Sequence, residues 1–251
     1  MSKKQTLRIS RQSKGIFFAA LATVLLTTTT FGCAGPTMQA LDAAAPFTAE
    51  FHEGQILDTR TGREVRFEDL LTSLLTQDII YLGEEHHNRH HVAAAVQLLD
   101  ALRAKGRLPT VAMEMFTWEA QEALDQYMKD PSLSRIQFMT ATAWDRTWGG
   151  AFDNYEPLVN FSRTAHLPLI GLNPPKGLVR SVAFHGLREA LRNPEMARWQ
   201  MLNQAFIGDT AYRARITEQI RECHGKMSDA QHEHMYEASL FRDEGMAKRL
   251  A

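Results

Sequence analysis

The chain has 251 residues, with 28 Lys and Arg against 29 Asp and Glu, and a formal net charge of −1. That balance, with no basic stripe, excludes a nucleic-acid track, and beyond the N-terminus no stretch is apolar for long enough to span a bilayer as a helix. Two cysteines, Cys33 and Cys223, exclude a disulfide-framed fold, so a core must hold the domain together.

Residues 1–32 read as an export signal. Lys3, Lys4, Arg8, Arg11 and Lys14 precede an apolar run over 16–26, and the first acidic residue is Asp42. Threonines 27–30 lead into Phe31, Gly32 and Cys33, which resembles a bacterial lipoprotein signal with Cys33 lipidated, although Thr30 stands where leucine is usual. Ordinary signal-peptidase cleavage nearby and an uncleaved anchor are the alternatives. Ala34 follows the cysteine rather than aspartate, so the expected destination in a Gram-negative cell is the outer membrane, facing the periplasm. Residues 33–48 then form a small-residue tether. Cleavage before Cys33 removes five basic residues and no acidic one, taking the net charge from −1 to about −6. With Cys33 modified, Cys223 has no partner for an intramolecular disulfide.

Residues 49–251 form the expected domain. A small β-hairpin is predicted over 55–57 and 64–67, around the loop 58–62, followed by a short amphipathic helix over 67–75. Buried strands and helices then alternate: strands at 78–83, 110–115 and 167–172, helices at about 89–105 and 117–128. The helix from Arg89 places Val92, Val96, Leu99 and Leu102 on one face, with Gly106 just past its end and Pro109 opening the next strand. Continuous apolar strands separated by helices predict an α/β fold, a mostly parallel sheet flanked by helices. A helical insertion is predicted over about 176–227. Within it, Asn193 and Pro194 start one helix, Gly208 and Asp209 break it, and Gly225 ends the next. Ser228 and Gln231 have the spacing of a capping box and start the last helix.

Right-handed crossovers bring the C-terminal ends of parallel strands to one edge, where ligands of open α/β sheets bind. Glu84 and His86 follow the first strand, Glu114 closes the second, and Asn173 to Lys176 follow the third. A neutral imidazole and two carboxylates make a plausible divalent metal site, with Glu84 as general base if the protein is a hydrolase. Helix-start carboxylates bonded to backbone amides are the bland alternative. His87, His90 and His91 crowd the same turn, but the helix starts near Asn88, so four-residue spacing does not place these histidines on one helical face.

The motif Tyr81-Leu82-Gly83-Glu84-x-His86, with Val111 to Phe116, Tyr155-x-Pro157-Leu158, and Leu169-Ile170-x-Leu172-Asn173-Pro174, resembles the ChaN family. So does the late segment His232-x-His234-Met235-Tyr236-x-Ala238, then Arg242-Asp243 and Met246-Ala247. That family consists of haem-binding, iron-regulated bacterial lipoproteins of the wider Tiki and erythromycin-esterase superfamily, and the resemblance covers residues 50–250. It implies an α/β fold with helical insertions, non-covalent haem binding in haem-iron acquisition, haem-uptake machinery as a partner, and a homodimer holding haem between subunits. Hydrolytic relatives use a glycine-x-x-histidine turn and a downstream glutamate, which fall here on Gly83, His86 and Glu114. A metal-dependent hydrolase is therefore the alternative function. The pattern departs from the family in two places. A further strand with a second glycine and histidine turn is expected after residues 246–247 and is missing from the pattern, and Ser239 stands where glutamine is expected.

For the haem iron, Tyr155 is the first candidate ligand, and Tyr236 with His232 the second. No Cys-x-x-Cys-His motif is present, so any haem is non-covalent. Lys176, Arg180 and Arg188 are candidates to pair with propionates. Met196, Met201 and Met227 read as core filler, and the inserted helices as a lid or a dimer surface.

Overall fold

The computed structural model describes residue 52, residues 54–224 and residues 227–251. The export signal, Cys33, the tether and the helix stop at Gly225 lie outside the described residues. The chain divides into two compact units, one ending at Arg107 and one running from Leu108 to Ala251.

In the first unit, β1 (Leu57–Asp58) pairs antiparallel with β2 (Arg63–Glu64), as the hairpin pattern predicts. The Asp58 carbonyl accepts from the amides of Thr61 and Gly62, and Gly62 sits at φ 68°, a left-handed conformation that favours glycine. The Asp58 carboxylate accepts the Arg60 amide and pairs with its guanidinium, which lowers its pKa. Helix α1 (Phe67–Leu74) buries Leu71 and Leu74 against Leu98 and Leu102 of α2 (Arg89–Ala104). Arg107 donates to the carbonyls of Leu75 and Gln77 at 2.7 and 2.9 Å, satisfying acceptors left open where α1 stops. Helix α2 begins where the sequence places it, because the Asn88 side chain accepts the His90 amide.

The strand predicted at 78–83 is not one. Those residues follow an irregular path without a ladder partner, and Ile79, Tyr81 and Leu82 are each about half exposed. An apolar run signals a tendency to be buried, whereas a strand also needs a neighbour to receive its backbone groups, and among the described residues the first unit holds only the two-residue hairpin.

The second unit is built on β3 (Val111–Thr117) and β4 (Leu169–Asn173), which run parallel. The register pairs Val111 with Leu169 and Met113 with Gly171, then slips so that Thr117 meets Asn173. Three residues of β3 therefore face one of β4, a bulge that carries β3 two residues beyond its predicted end. A single 3-10 turn over Trp118–Ala120 separates it from α3 (Gln121–Lys129), so the helix starts later than predicted.

Helices α4 (Arg135–Ala141) and α5 (Trp144–Thr147) follow, the first opened by a capping box of Ser134 and Gln137. Between them Ala143 turns at φ 53°. Helix α6 (Glu156–Thr164) starts at Tyr155 and Pro157 and leads into β4. Phe116, Phe138, Trp144, Phe152 and Tyr155 pack ring on ring, with Phe116 and Trp144 centred 5.5 Å apart and Trp144 and Phe152 5.0 Å apart.

After β4 come α7 (Lys176–His185), α8 (Leu187–Ala190), α9 (Pro194–Arg198), α10 (Thr210–His224) and α11 (Asp229–Leu250). The capping box at Ser228 and Gln231 forms as predicted. The helix that Asn193 and Pro194 start is only five residues, because Gln200 turns at φ 57° well before Gly208. Met196 and Met201 fill the core with Trp118, Val182 and Phe241, as their flexible side chains suggest. Helix α10 is held lightly: of its described side chains only Ile220 is fully buried, against Tyr236 and Leu240 of α11. No helix among the described residues is long and apolar enough to cross a membrane.

The outer edge of β4 is closed by one side chain. Gln121 donates to the Leu169 carbonyl and accepts the Gly171 amide, both at 3.0 Å, taking the groups that a further strand would use.

Candidate functional site

In the first unit, the turn after 78–83 folds on its own polar groups. Glu84 Oε1 lies 3.0 Å from Nδ1 of His86, and Glu84 is the more enclosed of the two. His87 turns the chain at φ 67°. Nδ1 of His91 accepts the Glu85 amide at 2.8 Å, so in this geometry that nitrogen carries no proton. The histidine cluster is thus partly a helix-start network, with His90 engaged through its backbone at Asn88.

Glu114 belongs to the second unit, half-buried in β3, and the Asn173 side chain donates to its carbonyl across the bulge. Among the described residues no group of three or more His, Cys, Asp or Glu could hold a metal ion. Of the three residues expected to hold a divalent ion, Glu84 and His86 lie in the first unit and Glu114 in the second.

The candidate haem ligands all lie in the second unit. Tyr155 is 0% exposed, enclosed by Trp144 at 5.7 Å and Trp148 at 6.2 Å. Tyr236 and His232 lie one turn apart on α11, buried to 4% and 8% exposure. The guanidinium of Arg213 sits 4.5 Å above the Tyr236 ring, and the Tyr236 hydroxyl fits against Gly208, where a Cβ would come within 2.0 Å of it. Both ring nitrogens of His232 are buried without a hydrogen-bond partner among the described residues. An unsatisfied buried polar group costs about 1–3 kcal/mol, so His232 is costly unless something engages it.

Tyr212 on α10 donates to Asp243 at 2.7 Å. Burial, then the bond to Asp243, raises its pKa well above the ordinary tyrosine range. It therefore remains a neutral donor, unsuited to act as a tyrosinate. A folded pKa above the unfolded value of about 10 contributes stability that is complete below pH 10 and lost as pH rises through the folded value. In a phenolate absorbance titration of the folded protein, wild type and Tyr212→Phe are expected to show the same wave near pH 10. A wave reduced by one tyrosine in the variant would contradict the assignment.

The sequence reading missed Thr117 and Arg146, which with Lys176 and Arg180 line a cleft at the ends of the strands. The residues come from three separate stretches, and no spacing pattern connects them.

The chain is similar to a solved structure of cofacial heme binding to ChaN of Campylobacter jejuni, with a TM-score of 0.63 and 24% identity, covering 78% of this chain and 74% of that one. That likeness bears out the α/β fold with a parallel sheet flanked by helices. It is also similar to the protein RETICULATA-RELATED 5, chloroplastic, of Arabidopsis thaliana, 28% identical over 122 residues that make up 46% of this chain. The match spans only 16% of that plant protein's length. Residues 70–251 match the family described as haem-binding uptake, Tiki superfamily, ChaN, and the chain belongs to that family.

Proposed function

We propose that this protein binds haem non-covalently, at an interface between two copies, as a lipid-anchored component of haem-iron acquisition on the periplasmic face of the outer membrane. Family membership supports haem as the ligand, and the fold of the Campylobacter protein supports the same reading. The lipid anchor rests on the signal-like segment ending at Cys33.

The observation in this chain that carries the reading is His232. Its two buried and unsatisfied ring nitrogens lie one helical turn from the Tyr236 phenol, so two donors suited to a ferric porphyrin adjoin on one helix. When bound, haem would supply an iron that accepts a protein ligand and two propionates. His232 and Tyr236 fit the roles of ligand or hydrogen-bond donor. Tyr155 fits less well, since reaching its hydroxyl means parting the Trp144 and Trp148 rings. Helix α10, which covers Tyr236 while burying little of itself, is the element whose displacement opens the site at least cost.

Hemin titrated into the purified protein is expected to give a saturable Soret shift. Tyr236→Phe and His232→Ala each weaken binding at least about tenfold, roughly 1.4 kcal/mol, while His86→Ala leaves it unchanged. A wild-type protein with no saturable shift sinks the reading. Weakening confined to Tyr155→Phe would move the ligand to that residue.

A further inference from the structure

At the C-terminal ends of the two strands lies a cleft of about 310 Å³, open to solvent, between Thr117, the turn joining α4 to α5, and the first turn of α7. Its charged lining is uneven: Arg146, Lys176 and Arg180 against Glu119. Among the described residues neither Arg146 nor Arg180 is held in an ion pair or side-chain hydrogen bond. Lys176 is differently placed. Its ammonium donates to the carbonyls of Arg146 and Thr147 at 3.0 and 2.9 Å, clamping the α5 turn onto α7 and fixing the cleft's wall.

The cleft floor adds an independent sign of a ligand. Thr117 is only 5% exposed and lines the cleft, yet its hydroxyl has no hydrogen-bond partner among the described residues. The residue lines the cleft where the cations gather, and its hydroxyl is not sealed from solvent there, so a ligand can reach it. The ten-residue α7 also presents its N-terminus here, with no side chain capping its first turn at Pro175. Its second residue, Gly177, has open space where a side chain would otherwise stand. First-turn amides, a hydroxyl and two guanidiniums are the donor set that recognises an oxyanion.

We propose that this cleft is an anion-binding site that takes a carboxylate or phosphate group, with Arg146 and Arg180 supplying charge and Thr117 a hydroxyl donor. The assignment stands on the cleft and is independent of the haem reading. The same chemistry is offered by a porphyrin propionate and by a free small anion, and the test separates them.

The purified protein is titrated calorimetrically with inorganic phosphate and with succinate at low ionic strength, then spectroscopically with hemin and with hemin dimethyl ester, which lacks the propionate charges. The same series is run on Arg146→Gln/Arg180→Gln, on the matching double lysine variant, and on Thr117→Val, each checked for native circular dichroism. Binding of phosphate or succinate that falls at least about tenfold in the glutamine variant, and recovers in part with lysine, supports a site for free anions. Hemin preferred over its ester at least about tenfold, with that preference lost in the glutamine variant, supports a propionate site. If neither anion binds and hemin and its ester bind alike, the proposal is overturned. Phosphate binding without any Soret shift from hemin would instead sink the haem reading and leave this one standing.

Discussion

Gly171→Ala is expected to lower the stability of the second unit by about 3 kcal/mol, and Gly171→Val by little more. The equality of the two is the informative part. A Cβ at position 171 meets the Thr117 carbonyl oxygen at 2.5 Å, its carbon at 3.1 Å and the Phe116 carbonyl oxygen at 3.2 Å, all of them backbone. No rotamer relieves such a contact, so the first carbon costs most and the rest add little. The crowding follows from the β3 bulge, which carries the Thr117 carbonyl over Gly171 where the register slips. Urea unfolding followed by tryptophan fluorescence reads the effect, because Trp118 and Trp144 lie in the second unit. An alanine variant within about 0.5 kcal/mol of wild type would mean that the strands part without strain.

Trp144→Ala is expected to cost about 3–5 kcal/mol and to leave a loosely ordered second unit. Trp144 is 0% exposed and stands among Phe116, Phe152 and Tyr155, and its indole donates to the Gly150 carbonyl at 3.1 Å. Removing it takes away the shared wall of three rings and leaves that carbonyl in need of a donor. Trp144→Phe restores part of the packing but not the hydrogen bond, and should recover about half the loss. Urea midpoints for both variants, with near-ultraviolet circular dichroism for side-chain order, check the result. A full-amplitude near-ultraviolet signal and an unchanged midpoint in the alanine variant would remove Trp144 from the core.

The sequence made local features legible where one segment decides its own structure. Asn88 and Ser228 start helices and Gly106 follows the end of one, through caps and turns that need only a few neighbouring residues, and each falls where read. The runs at 110–115 and 167–172 became β3 and β4 because each is the other's partner. The run at 78–83 has the same apolar signature and no ladder, so the signature reports an appetite for burial and not a pairing. Gln200, left-handed without being glycine or asparagine, gives no sign of ending a helix. Candidate site residues divide in the same way. Glu84 and His86 are two residues apart and do meet, whereas Thr117, Arg146 and Arg180 meet only through the folding of β3, α5 and α7.

Gln121 bears on how copies of this protein can associate. A strand approaching the outer edge of β4 finds the Leu169 acceptor and the Gly171 donor already engaged, and Arg249 donates to the same amide oxygen at 3.0 Å, fastening it in place. Sheet growth, the usual route by which an exposed edge drifts toward aggregation, is shut at that side. A partner at that edge must be met through side chains on a fixed surface, which makes contact there reversible and leaves the hydrogen-bonded ladder of each copy intact.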